Sequence, residues 1–100
     1  DEKTPGTILA GEVLDLSCYL SHGGRGKEHK KCAKMCILDG GPAGLLTDEG
    51  AVVLFVENHD KKKEYKSLAN YAGDKVKATG TLVNKNGMRA LVLDKLEPAK

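Results

Sequence analysis

All three cysteines and two of the three histidines of this 100-residue chain fall within nineteen residues, in the pattern Cys18-x3-His22-x6-His29-x2-Cys32-x3-Cys36. Thiolates and imidazoles are soft or borderline donors that suit zinc, copper or iron, whereas calcium and magnesium require oxygen donors. Between Cys18 and Cys36 the sole acid is Glu28, so the segment is built for a transition metal. If Lys27 to Cys36 is a short helix, His29, Cys32 and Cys36 stand at i, i+3 and i+7 and project from one face. Cys18 and His22 then come from a preceding element, and two elements together offer five donors to one cation.

A Cys3His set is a closed tetrahedral site for structural zinc, and a Cys2His set suits copper(I), with Met35 as an extra thioether. The expected ligands are Cys18, Cys32 and Cys36 first, then His29 and His22, and the expected cofactor is a copper or zinc ion. The spacing fits neither paired C-x2-C zinc knuckles nor the C-x-x-C-H of covalent haem attachment. The C-x3-C of Cys32 and Cys36, with His29, is similar to the copper-binding segment of copper-handling proteins, and that resemblance implies copper donor chemistry at these three positions alone.

Two other readings use the same residues. Cys18 paired with Cys32 or Cys36 in a disulfide would staple the segment to its scaffold, at the cost of a leftover thiol from an odd cysteine count. A thiol redox protein would exploit Arg25, Lys27, Lys30, Lys31 and Lys34, which face only Glu28 within the segment and would lower thiol pKa values. Such cations also favour the thiolates of a metal site, so their presence does not separate the readings.

The elements that must position this cluster follow from periodicity. Thr7 to Tyr19 has the apolar density of a strand that bends at Gly11. Ser21 to Lys34 then breaks every strand pattern and reads as the heart of an insertion over residues 20–38. Gly40 to Asp48 supplies turn residues and a short strand, and Ala51 to Glu57 is β-branched enough for a central one, with Asp48-Glu49-Gly50 as the turn between them. Tyr65, Leu68, Ala69 and Ala72 mark one face of a short helix over Lys63 to Ala72, stopped by Gly73. Lys75 to Val83 and Met88 to Leu96 flank Asn84-Lys85-Asn86-Gly87, a hairpin loop.

The stretch Gly73-Asp74-Lys75-Val76-Lys77-Ala78-Thr79-Gly80-Thr81-Leu82-Val83, followed by Met88 to Leu96, resembles the closing half of an OB-fold barrel, in which a helix precedes the fourth strand. The resemblance covers roughly residues 7–97. It implies an all-β fold with one short helix: a five-stranded OB-like barrel, the helix between strands three and four, and the Cys/His insertion between strands one and two. The whole of residues 1–100 is then a single domain, which the length also requires. Such barrels bind single-stranded nucleic acid, sugars, proteins and metals, so the function has to come from the site.

Composition excludes several classes. A net charge of +2 hides a local +4 over Arg25 to Lys34, and basic character confined to one segment is not a nucleic-acid footprint. Four aromatic residues, Tyr19, Phe55, Tyr65 and Tyr71, leave little for base stacking once the core is filled, so nucleic acid is not an expected partner. His59 to Lys63 reads as a solvated loop, and Gly40-Gly41-Pro42-Ala43-Gly44 lacks the Lys-Ser/Thr of a phosphate-binding loop. Asp15, Asp39, Asp48 and Asp94 are scattered singly and assemble no catalytic set. No apolar run is long enough to span a bilayer. The chain therefore reads as a metal-binding protein and not an enzyme, with a protein that donates or accepts the ion as its partner. Its opening residues Asp1-Glu2-Lys3-Thr4-Pro5 lack an initiator Met, so an exported or periplasmic protein freed of its signal peptide is expected.

Overall fold

A computed structural model describes residues 2–99 of the chain. The buried residues of the strands turn one face of a single sheet inward, and that sheet curls until its edges meet. Strands β1 (Glu2–Asp15), β2 (Ala43–Thr47), β3 (Val52–Glu57), β4 (Lys75–Lys85) and β5 (Met88–Pro98) close into a barrel in the order β1-β2-β3-β5-β4. All neighbouring pairs are antiparallel except β3 and β5, which run parallel from Leu54↔Ala90 to Glu57↔Leu93.

Closure depends on the length of β1. Its residues up to Glu12 pair with β4, and Gly11 to Asp15 pair with β2, so the strand passes from one partner to the other around Gly11 and Glu12. A Cβ at Gly11 would collide with the Leu46 carbonyl of β2. Only glycine lets the two strands approach closely enough at this bend. The two short hairpins turn as their residues dictate: Gly50 takes φ 91° after β2, and Asn86 and Gly87 take φ 53° and 83° between β4 and β5. The interior is aliphatic, with Val13, Leu45, Val53, Leu68, Val76, Leu91 and Leu93 almost wholly buried around Phe55.

Among the described residues three α-helices accompany the barrel, α1 (Leu16–His22), α2 (Lys30–Leu38) and α3 (Lys62–Ser67), where the OB-like expectation has one, with a second only conditional over Lys27 to Cys36. The expected strand through Tyr19 ends four residues early. Asp15 leaves the sheet and its side chain caps α1 by accepting from Ser17 N at 3.0 Å, which diverts Leu16 to His22 into helix. The helix expected over Lys27 to Cys36 begins as a 3-10 turn at Lys27–His29 and becomes α only from Lys30. The one expected over Lys63 to Ala72 is likewise split, α3 passing into a 3-10 turn at Leu68–Tyr71. Ala33 and Ile37 of α2 are buried and join the barrel core, so the segment between β1 and β2 is packed onto the barrel and does not hang from it.

Candidate metal centre

Helices α1 and α2 converge above the end of β1. Leu16 N donates to the Pro42 carbonyl at 3.0 Å, and Asp15 pairs with Ala43, so the segment leaves and re-enters the sheet at neighbouring residues. Within α2, Ala33 and Ile37 set the buried face, and Cys32 and Cys36, one position earlier in each turn, lie beside it along the flank. Cys18 sits in α1, whose end is fixed by Gly23 at φ 74° with its N–H directed at the Cys18 and Tyr19 carbonyls.

This arrangement gathers all three cysteines. The Sγ atoms of Cys18, Cys32 and Cys36 lie within 4.8 Å of one another, a span that a small inward adjustment closes onto one ion with metal–sulfur bonds of about 2.3 Å. All three are free thiols. Cys18 and Cys36 are half-buried and Cys32 is exposed, so the group opens to solvent on the Cys32 side.

The two histidines flank the adjoining loop, His22 ending α1 and His29 ending the 3-10 turn before α2, and are not members of the three-thiol group. The rings of His22 and His29 stand 6.0 Å apart at their centroids, tilted by 44°. Gly24 is buried against both, and a Cβ there would come within 3.2 Å of the His22 ring and 3.1 Å of the His29 ring. His29 also lines a cavity of about 10 Å³ with Asp15, Cys18, Gly24 and Ala33, room for about one water molecule.

The loop carrying these rings is tied down by Glu12, a nearly buried carboxylate at the crossover of β1. One of its oxygens accepts from Arg25 Nε at 3.1 Å and from the other arm of that guanidinium at 2.7 Å; the second accepts from Gly26 N at 2.7 Å. Arg25 is half exposed, so solvent shares its charge and the tie rests mainly on the buried carboxylate and the backbone N–H. Glu12→Ala should therefore destabilise the protein by about 2–3 kcal/mol. Urea unfolding measures this directly, and a change below about 0.5 kcal/mol would place the anchor of the loop elsewhere.

The residue that sequence reasoning passed over is Asp15. It is 2% exposed; Oδ1 caps α1, and Oδ2 is buried without a partner of full hydrogen-bond geometry. The Cys18 and Cys36 thiols face this carboxylate. Hydrogen bonding toward Asp15, then burial, then the charge of Asp15 push Cys18 up to about 12, and the same causes push Cys36 up from the ordinary thiol value of 9.0. The surrounding cations do not reverse this. Arg25 is engaged by Glu12, and Lys30 donates to Asp74 Oδ2 at 2.6 Å and to the Ala72 carbonyl at 3.1 Å. The expectation of lowered thiol pKa values is thus overturned for Cys18 and Cys36: a nearby carboxylate and partial burial outweigh the cations, of which Arg25 and Lys30 are engaged elsewhere. The sequence signal for Asp15 is its place three residues before Cys18, one helical turn away across a cap.

No protein-family model, curated protein or solved structure matches this chain.

Proposed function

We propose that the protein binds one copper or zinc ion through Cys18, Cys32 and Cys36, on an OB-like barrel, and acts as a binding protein and not as an enzyme. The observation that carries this reading is the convergence of three sulfur atoms within 4.8 Å from two helices. Cys32 and Cys36 are one helical turn apart on α2, and the fold of the insertion brings Cys18 of α1 to them. Sulfur donors select zinc and copper over the hard cations. The strand order, with β1 serving two partners and β3 beside β5, supports the OB-like label. The exposed thiol of Cys32 suits an ion handed over by or to another protein.

Raised thiol pKa values weigh against thiol redox catalysis, which needs a ready thiolate. A disulfide between two of the three sulfurs is the competing use of the same proximity. Elemental analysis of protein purified under reducing conditions without a metal column separates them, together with a thiol count before and after chelation. The expected result is about one equivalent of copper or zinc, with three thiols that become reactive when the ion is removed. Absence of metal, failure to take up zinc(II) or copper(I) when they are supplied, and a single reactive thiol would overturn the reading.

A further inference from the structure

Three thiols leave a tetrahedral ion one donor short, and one side chain at the site is built to supply it. We infer that Asp15, through its buried and unpartnered Oδ2, is the fourth ligand, so that the centre is a Cys3Asp site made for a divalent ion of the zinc class. The inference rests on the three-thiol reading and deepens it.

Asp15 is 2% exposed, and a buried carboxylate oxygen with no donor better than a weak thiol is disfavoured. Helix capping accounts for Oδ1 alone. Among the described residues Oδ2 meets no donor of full hydrogen-bond geometry, and its neighbours are the thiols of Cys18 and Cys36, which only lean toward it. Asp15 and Cys18 line the same small cavity, so an ion entering there meets the carboxylate beside the thiols. Asp15 is not within 4.8 Å of all three sulfurs. The carboxylate and the thiols must therefore draw together around the ion, and the exposed Cys32 is the least confined of the three thiols.

The oxygen donor decides the metal class. Zinc(II) accepts carboxylate oxygen at about 2.0–2.2 Å beside thiolates, whereas copper(I) selects sulfur. Four protein donors also close the coordination sphere, leaving no position for an activated water, in keeping with a binding role. His29 is the rival fourth donor, because it lines the same small cavity as Asp15 and Cys18.

Cobalt(II) titration of the full chain, read by its visible absorption, distinguishes these possibilities. Wild type is expected to take up one tetrahedral cobalt(II) with thiolate charge-transfer bands. Asp15→Asn keeps an oxygen to cap α1, and is expected to bind cobalt(II) and zinc(II) at least about 10-fold more weakly, with shifted cobalt bands and unchanged copper(I) affinity. X-ray absorption of the wild-type zinc protein gives a second readout that needs no variant, with three sulfurs and one oxygen expected and no imidazole scattering. Unchanged cobalt affinity and bands in Asp15→Asn overturn the assignment, as do imidazole scattering in wild type or a comparable loss in His29→Ala. Failure of wild type to bind cobalt(II) or zinc(II) at all would instead remove the three-thiol site on which the inference rests.

Discussion

Cys36→Ser is expected to abolish stoichiometric metal binding while leaving the barrel folded. Serine differs from cysteine by one atom, and Cys36 is only half-buried on a helix held by Ala33 and Ile37, so the substitution removes the donor and little packing. Its hydroxyl does not ionise at neutral pH and does not replace a thiolate on a soft ion. The consequence is large because an ion that binds only the folded state stabilises it by mass action. At an ion concentration a thousand times Kd the gain is about 4.1 kcal/mol, which for a domain of this size raises Tm by about 20 °C. Thermal unfolding with and without zinc(II) should show that rise in wild type and none in Cys36→Ser. A variant that keeps the full rise would move the ion away from the three thiols.

The second large effect is on pH. Cys18 is pushed up to about 12 and Cys36 above its ordinary value by Asp15 and burial, so both thiols hold their protons at neutral pH and an entering ion must displace them. Loss of these two protons alone makes the apparent affinity rise at least about 100-fold per pH unit between pH 6 and 8. Competition with a chelator of known affinity at several pH values gives this slope, and a slope near zero would mean that these thiols are not ligands. The metal-free protein moves the other way. Because Cys18 binds its proton more tightly when folded, its contribution is fully present below the ordinary thiol value of 9.0 and is lost as pH rises from there towards 12.

Much of the barrel could be read directly from residue patterns. The β-branched run of Ala51 to Glu57, the alternation in Lys75 to Val83, and the turns at Gly50 and at Asn86-Gly87 specify strands and hairpins through short-range chemistry that the fold does not contradict. Helix α1 was hidden because Leu16, Cys18 and Leu20 prolong the alternation of β1. The change of course lies in a single cap at Asp15, and seven residues are too few to display a helical period. The clustering of Cys18, Cys32 and Cys36 was visible, and they meet because two helices fold onto one strand end. The same spacing also grouped His22 and His29, which stand at either side of the neighbouring loop, outside the three-thiol group. Asp15 left only its place three residues before Cys18 as a signal, because its burial arises from a bend that no local rule encodes. The effect of Arg25 and Lys30 was misjudged for a similar reason: their partners Glu12 and Asp74 lie far from them in sequence.

The pairing of Asp15 with Ala43 gives the insertion two ends that stand side by side on the barrel rim. A segment held in this way is interchangeable in principle, since its removal leaves two adjacent residues that a tight turn can join without disturbing the strand register. Transplanting it into another barrel would need more than its cysteines. Ala33 and Ile37 fill the host's interior, Glu12 fastens the loop from outside the segment, and Asp15 belongs to the strand. The portable unit is therefore the insertion together with the last turn of the strand that launches it, and specificity for the ion would travel only if that strand end travelled too.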